Sequence, residues 1–370
     1  MSVPPEGGII DPVILYGFGY LEPGGTRMIH VGMDVHRDST VIHFLDPAAQ
    51  PKTQHRSVTV PSTAEAITAA LQPLQRRCRV AFEVGTQAQW VAQVVRPLAA
   101  EVQVANPSRI PWLFCDGRKN DRLDARKLAT LLYLGQLPQV HLPAADVSAW
   151  RTLINHRRSL VKRRTMMKNQ VRALLRSFML KCPHRSLWTR AGRVWLHSLI
   201  FDPSRAVMMR TLTQGIDFLN AQRGLVEQQL DAIAAAQPAV SLLRTIPGIG
   251  ARTAEAIAAF TDRVGRFGHR KQFASYFGMT PTQDASGRID RHGHISKRGP
   301  SVVRWVLVEA AHRVIRYCPA LRVFFDRVFR ERKDRYKKAI VALGRKVLTI
   351  AFAMLRDGRP FDPAKVAAAA

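Results

Sequence analysis

Acidic residues are scarce in this chain: 27 Asp and Glu stand against 56 Lys and Arg in 370 residues, a formal charge of +29. Such an imbalance draws polyanions by long-range attraction and counterion release, so nucleic acid is the expected partner and an anionic membrane surface the second choice. No apolar run approaches the roughly 20 residues a spanning helix needs. There are only four cysteines, Cys78, Cys115, Cys182 and Cys318. They show neither CxxC nor Cys/His spacing, which argues against a zinc site and a disulfide framework and leaves plain thiols. No basic residue precedes Arg27, so residues 1–27 lack the charged start of a signal peptide and read as a flexible leader of a cytoplasmic protein. No internal repeat or low-complexity tract is visible, and residues 361–370 read as a tail.

The 46% hydrophobic content is ample for two or three packed domains. Residues 28–142 read as α/β. Ile29 to Asp34 and Thr40 to Leu45 alternate like adjacent strands, with Ser57–Val60 a shorter third. A helix is expected from Ser62, a buried strand over Arg79–Val84, a helix over Ala88–Leu98, a strand over Val102–Ala105 and a helix over Asp121–Leu134. Three strands, helix, strand, helix, strand, helix is the ribonuclease-H-like order, whereas a generic doubly wound sheet lacks the opening meander. The remainder reads as mainly α.

Between Arg151 and Ile200 lie thirteen Lys or Arg and no acid. With Leu160, Val161, Val171, Leu174 and Leu175 at helical spacing, the stretch reads as a basic amphipathic helix. A charge run often marks only a solvated face, but one of this length repels itself unless phosphates neutralise it. Arg157, Arg158, Lys162, Arg163, Arg164, Lys168 and Arg172 are the candidate contacts. Met208–Ala236 carries apolar residues near heptad spacing (Leu212, Ile216, Leu219, Leu225, Leu230, Ile233), fit for pairing with another helix or for a dimeric coiled coil. Residues 143–238 thus form a basic helical linker.

Transfer of a phosphodiester commonly uses divalent metals held by acidic side chains. Asp34 ends the first strand and Glu83 sits late in the fourth, its neighbour in this fold. Asp121 and Asp124 stand three apart at a helix start, on one face. Singly each has a plain reading: a turn residue, a partnered buried acid, an N-cap, a first-turn acid. Together, in a chain so poor in acids, they read as a metal site.

Gly32-Met-Asp-Val-His, Phe82-Glu-Val-Gly-Thr, Asn106-Pro and Lys119-Asn-Asp-Arg-Leu-Asp-Ala-Arg-Lys-Leu-Ala resemble the four blocks of the DEDD-type IS110 insertion-sequence transposases, which include the Piv/MooV invertases and bridge-RNA-guided recombinases. The resemblance implies a RuvC-like nuclease domain over 28–142, with Asp34, Glu83, Asp121 and Asp124 holding Mg²⁺. It places the chain in the prokaryotic cytoplasm, at the nucleoid.

Further on, Leu243-Arg-Thr-Ile-Pro-Gly-Ile-Gly-Ala-Arg-Thr-Ala matches a helix-hairpin-helix signature. Gly248 and Gly250 would let backbone N–H groups approach a phosphate regardless of sequence, or would serve an ordinary tight turn between packed helices. Phe273-Ala-Ser-Tyr-Phe-Gly-Met-Thr-Pro, Asp284-Ala-Ser-Gly-Arg and His294-Ile-Ser-Lys-Arg-Gly-Pro-Ser-Val-Val-Arg resemble the family's second transposase domain, here 239–360. The resemblance makes Ser286 the nucleophile, with Ser296 the alternative if the intervening loop differs in length. A hydroxyl is a weak nucleophile and needs a base, a metal or charge stabilisation, for which Arg288, Arg291 and Lys297 stand near in sequence; Arg288, Lys297 and Arg298 are also candidate nucleic-acid contacts. The resemblance also implies a guide RNA that pairs with donor and target DNA, and a homo-oligomer in which one protomer's nuclease domain meets another's serine domain. Two other classes share these features: a Holliday-junction resolvase, which needs no Ser286, and a non-catalytic nucleic-acid-binding protein, which needs no tetrad.

Overall fold

The computed structural model describes residues 27–106, 120–286 and 289–368. The expected leader before Arg27, and Cys115, Lys119 and Arg288, lie outside the described residues. The chain forms two compact units that divide between Pro143 and Ala144.

The first unit holds a five-stranded sheet. Its elements are β1 (Ile29–Val35), β2 (Ser39–Leu45), β3 (His55–Pro61), α1 (Ala64–Leu71), β4 (Cys78–Glu83), α2 (Ala88–Val95), β5 (Glu101–Ala105) and α3 (Asp121–Tyr133). The strand order is β3-β2-β1-β4-β5. β1, β2 and β3 form an antiparallel meander, and β1, β4 and β5 run parallel. β3 is as long as its neighbours, longer than its four alternating residues suggest, because at the sheet edge His55 and Arg56 need not be apolar to pair. Thr63 starts α1 by accepting a hydrogen bond from Ala66 N–H.

Side-chain alternation divides the apolar residues between the two faces of the sheet. Val31, Met33, Ile42, Val80 and Phe82 pack with Ile67, Leu71, Val91, Ala92 and Val95 of α1 and α2. On the opposite face Ala81 and Ala105 meet Leu128, Leu131 and Leu132 of α3. With apolar groups on both faces, the parallel strands read as continuous hydrophobic runs.

The second unit is mainly helical: α4 (Ala145–Ser177), α5 (Arg190–Ser198), α6 (Pro203–Ala235), α7 (Pro238–Leu243), α8 (Ala251–Thr261), α9 (Arg270–Tyr276), β6 (Pro281–Ser286), β7 (Ile289–Ile295), α10 (Ser301–Tyr317), α11 (Pro319–Phe329), α12 (Tyr336–Asp357) and α13 (Pro363–Ala368). The basic stretch is therefore two helices, not one. α4 stops at Ser177, Met179 takes a left-handed φ of 53°, and Pro183 falls before Thr189 caps α5. α4 and α6 pack antiparallel, since Arg157 pairs with Glu227 and Arg164 with Asn220. The heptad-like stripe of α6 thus has its partner helix within the chain, and of its apolar residues only Leu225 is exposed.

α8 is buried continuously from Thr253 to Thr261, mostly apolar around its circumference but with Glu255 buried among its alanines. Leu243, Ile246, Phe273, Phe277, Leu307, Leu343 and Val347 pack in the same core. Val366 of α13 joins them, so part of the expected tail is packed structure. The segment around Ser286, which reads as a polar loop, is a two-stranded antiparallel hairpin. Its residues are mostly polar along both strands, leaving no hydrophobic period to reveal it.

Candidate active site

β1 and β4 carry the first two acids. Met33 stands opposite Phe82 in the parallel register, so the residues that follow, Asp34 and Glu83, end adjacent strands. Met33 and Phe82 face α1 and α2, and alternation turns Asp34 and Glu83 toward α3. Gly32, two residues before Asp34, faces α3 as well. A Cβ there would stand 2.0 Å from the Ala125 carbonyl oxygen and 2.6 Å from Ala129 N, so the helix can cross β1 this closely only over glycine.

That crossing delivers the other two acids. The Asn120 side chain accepts from Arg122 N–H at 3.0 Å and caps α3. The capping role open to Asp121 thus falls to Asn120, and both Asp121 and Asp124 lie in the first turn, where the helix dipole favours negative charge. Asp34, Glu83 and Asp124 line one cleft of about 260 Å³, walled by Phe82, Val84, Ala88 and Val91. Asp121 reaches the same place from the helix end: one oxygen each of Asp34 and Asp121 and a nitrogen of His36 lie within 4.8 Å of one another. His36 Nε2 is 3.3 Å from Asp34 Oδ2 and 3.4 Å from Asp121 Oδ2.

Burial pushes the Asp34 carboxyl above its usual range; His36 pulls the other way, and the negative charges of Asp121 and Asp124 push it further. Converging carboxylates of this kind repel unless a cation is shared, and an oxygen-rich donor set suits a hard divalent ion. The residues present therefore fit the metal that the acidic pattern implies.

Comparisons with known sequences identify the family. A family model described as "Transposase", of the DEDD IS110 type, matches residues 31–180. A second, "Transposase IS116/IS110/IS902 family", matches residues 240–326. The chain belongs to the IS110-type transposases, a family of DNA-recombining enzymes. A "Probable family 20 transposase" of Pseudomonas aeruginosa is 29% identical over 252 residues, 65% of this chain and 72% of that protein. A "Transposase for insertion sequence element IS1111A" of Coxiella burnetii is 26% identical over 265 residues, 68% and 71% of the two chains. A "Pilin gene-inverting protein" of Moraxella lacunata is 38% identical over 125 residues, 33% of this chain and 38% of that one.

In this transposase the basic residues of α4 divide into two sets. Arg157 is bound by Glu227 at 2.7 Å, Arg158 by the Ser301 hydroxyl at 2.7 Å and the Trp305 ring, and Arg164 by Asn220 at 3.0 Å. Lys168 lies 4.5 Å from the centre of the Trp188 ring, and burial and the neighbouring Arg164 and Arg172 hold its ammonium below its ordinary range. Lys162, Arg163 and Arg172 are exposed. The first set fastens α4 to its own unit, with Arg157 meeting an acid, Glu227 on α6, and the others held by a hydroxyl, an amide oxygen and indole rings.

Gly248 has φ +93°, and a Cβ there would meet Val314 N at 2.5 Å. Its close approach is to the backbone of α10. Gly250 has the Arg313 guanidinium as its nearest neighbour, at 3.7 Å. Ser286 ends β6 and pairs with Ile289. Lys297 and Arg298 are exposed on a turn held tightly against Tyr276–Gly278, where Arg304 donates to the carbonyls of Phe277, Arg298 and Gly299. Ser296 N–H donates to Thr280 O at 2.8 Å.

One residue of the site, His36, is absent from the acidic pattern of the sequence. It follows Asp34 by two, and in an extended chain that spacing puts both side chains on one face, which is the signal that could have found it.

Proposed function

We propose that this transposase cuts and rejoins DNA strands with Asp34, Glu83, Asp121 and Asp124 as a metal-holding tetrad and Ser286 as nucleophile. The observation that carries the reading is the convergence of four acids from β1, β4 and α3 in a chain otherwise so basic. The strand order β3-β2-β1-β4-β5, with a helix crossing β1, supports a ribonuclease-H-like, RuvC-type nuclease domain.

The metal, Mg²⁺ in this reading, would polarise a phosphoryl oxygen and stabilise the leaving oxygen. Asp34, Glu83, Asp121 and Asp124 would hold it. Ser286 Oγ would attack the scissile phosphorus; the Oγ–P bond forms as the bond to the leaving strand's oxygen breaks, that oxygen departs as a hydroxyl with the proton the serine gives up, and the phosphoserine ester keeps the bond for rejoining. Arg291, Lys297 and Arg298 offset charge that grows on the phosphate. The ester is then attacked by a new strand end, which completes exchange.

DNA is the substrate, and an RNA guide is the second partner in this reading. The exposed Lys162, Arg163 and Arg172 would contact backbone phosphates, with base pairing supplying sequence. Gly248 and Gly250 remain candidates for phosphate contact through backbone N–H groups. A homo-oligomer would bring a tetrad and a serine from different protomers together.

The test is Mg²⁺-dependent strand exchange by Asp121→Asn. Loss of exchange with binding retained supports the tetrad; exchange at the wild-type rate removes it. Sequencing RNA that copurifies with the chain tests the guide: one recurrent species supports it, and random cellular RNA contradicts it.

A further inference from the structure

We infer that His36 is a nitrogen ligand of the divalent metal, beside the carboxylates, and that it biases this site toward first-row transition metals over Mg²⁺. The inference rests on the tetrad reading and adds to it a donor of different chemistry.

His36 is placed by backbone, not by chance packing. Its N–H donates to Ser39 O at 3.0 Å, and its carbonyl accepts from Ser62 Oγ at 2.8 Å. Ser62 Oγ is in turn 2.7 Å from Thr40 Oγ. The turn after β1 is thereby fixed on both sides, and the imidazole leaves it on the Asp34 face.

The ring then spans two carboxylates from different elements, Asp34 on β1 and Asp121 on α3, at 3.3 and 3.4 Å. Ligand atoms about 2.1 Å from a shared metal lie about 3.0 Å apart along an octahedral edge and about 3.4 Å along a tetrahedral one. The two separations from His36 Nε2 match such edges, and all three donor atoms lie within 4.8 Å of one another. In the metal-bound state Nε2 offers its lone pair and Nδ1 carries the proton.

Imidazole nitrogen is a borderline donor. It adds affinity for Mn²⁺, Co²⁺ or Zn²⁺ and little for Mg²⁺, which prefers oxygen and retains its waters. A site of carboxylates alone lacks this nitrogen contribution.

The test uses the full chain and Mn²⁺ or Mg²⁺ alone. Pulsed electron paramagnetic resonance of bound Mn²⁺ should show coupling to one ¹⁴N nucleus, and the coupling should vanish in His36→Ala and His36→Asp. By calorimetry, His36→Ala should weaken Mn²⁺ binding by about tenfold or more while changing Mg²⁺ binding by less than about threefold. His36→Asp restores an oxygen ligand, so it should bind Mg²⁺ at least as well as wild type, which separates loss of a ligand from loss of the fold. Bound Mn²⁺ without ¹⁴N coupling, or an unchanged Mn²⁺/Mg²⁺ ratio in His36→Ala, overturns the inference. Asp34→Asn separates the two readings: if it abolishes Mn²⁺ binding while His36→Ala does nothing, only the inference on His36 fails. If neither variant changes binding, the tetrad fails with it.

Discussion

Gly32 and Ala125 meet where α3 crosses β1, with no room for a side chain on Gly32. This meeting sets the height of α3 above the sheet, and with it the distance from Asp121 and Asp124 to Asp34. Gly32→Ala should therefore lift the helix, lower stability by roughly 1–3 kcal/mol through overpacking, and weaken divalent-metal binding. Chemical denaturation and calorimetry check the two effects. Full metal affinity in this variant would mean that the crossing does not position the acids.

Removing a single carboxylate from the tetrad should act on chemistry and spare the fold. Glu83→Gln and Asp121→Asn are each expected to reduce DNA recombination by several orders of magnitude, because a misplaced metal no longer stabilises the transition state. Circular dichroism and nucleic-acid binding should match wild type. Near-normal recombination by either variant would contradict the assignment.

The basic residues of α4 should separate by experiment as they do in space. Lys162→Ala with Arg163→Ala removes exposed charge and should lower the slope of log affinity against log salt by about 0.7 to 0.9 for each phosphate left unneutralised, without affecting stability. Arg157→Ala removes one of the two arginines on Glu227, leaving Arg223 at 3.5 Å, and should cost roughly 0.5–1.5 kcal/mol in denaturation. An unchanged salt slope in the double variant would make that face of α4 merely solvated.

Glu255 makes stability depend on pH. It is buried on α8, and burial pushes its carboxyl from the ordinary 4.5 up to about 7, against the pull of Arg252 at 2.8 Å and of Arg157, with Asp231 and Glu227 pushing it further. The folded chain thus holds a proton that the unfolded chain has released over this range. Stability should fall as pH rises from about 4.5 to about 7, by up to about 1.4 kcal/mol per pH unit, and level off above. Glu255→Gln should remove that slope. Identical pH profiles for the two proteins in urea denaturation would contradict this role of Glu255.

Much of this architecture is legible in the sequence because it rests on short-range patterns. Alternation places β1, β2, β4 and β5, and the three-residue spacing of Asp121 and Asp124 puts both in the first turn of α3. Long-range pairing is what the chain hides. The bases of α4 read as a phosphate-binding face because the internal partners of Arg157, Arg158 and Arg164, namely Glu227, Ser301 and Asn220, lie more than 50 residues away. Gly248 carries the spacing of a phosphate-gripping turn, yet the close neighbour that requires a glycine is α10. His36 escapes a reading of the sequence because an exposed histidine after a strand is ordinary until α3 brings Asp121 beside it.

In the proposed mechanism, strand exchange proceeds through a serine ester at Ser286. A labelled DNA substrate is incubated with the full chain, any RNA that copurifies with it and Mg²⁺, resolved on a denaturing gel, and any attached peptide is mapped by mass. A covalent adduct at Ser286, lost together with strand exchange in Ser286→Ala, is the predicted result; the substitution should cost under about 1 kcal/mol of stability. Attachment at Ser296 would keep the mechanism and move the residue. Efficient strand exchange by Ser286→Ala with no adduct at any position would contradict the serine mechanism and leave an enzyme that works through its acidic tetrad alone.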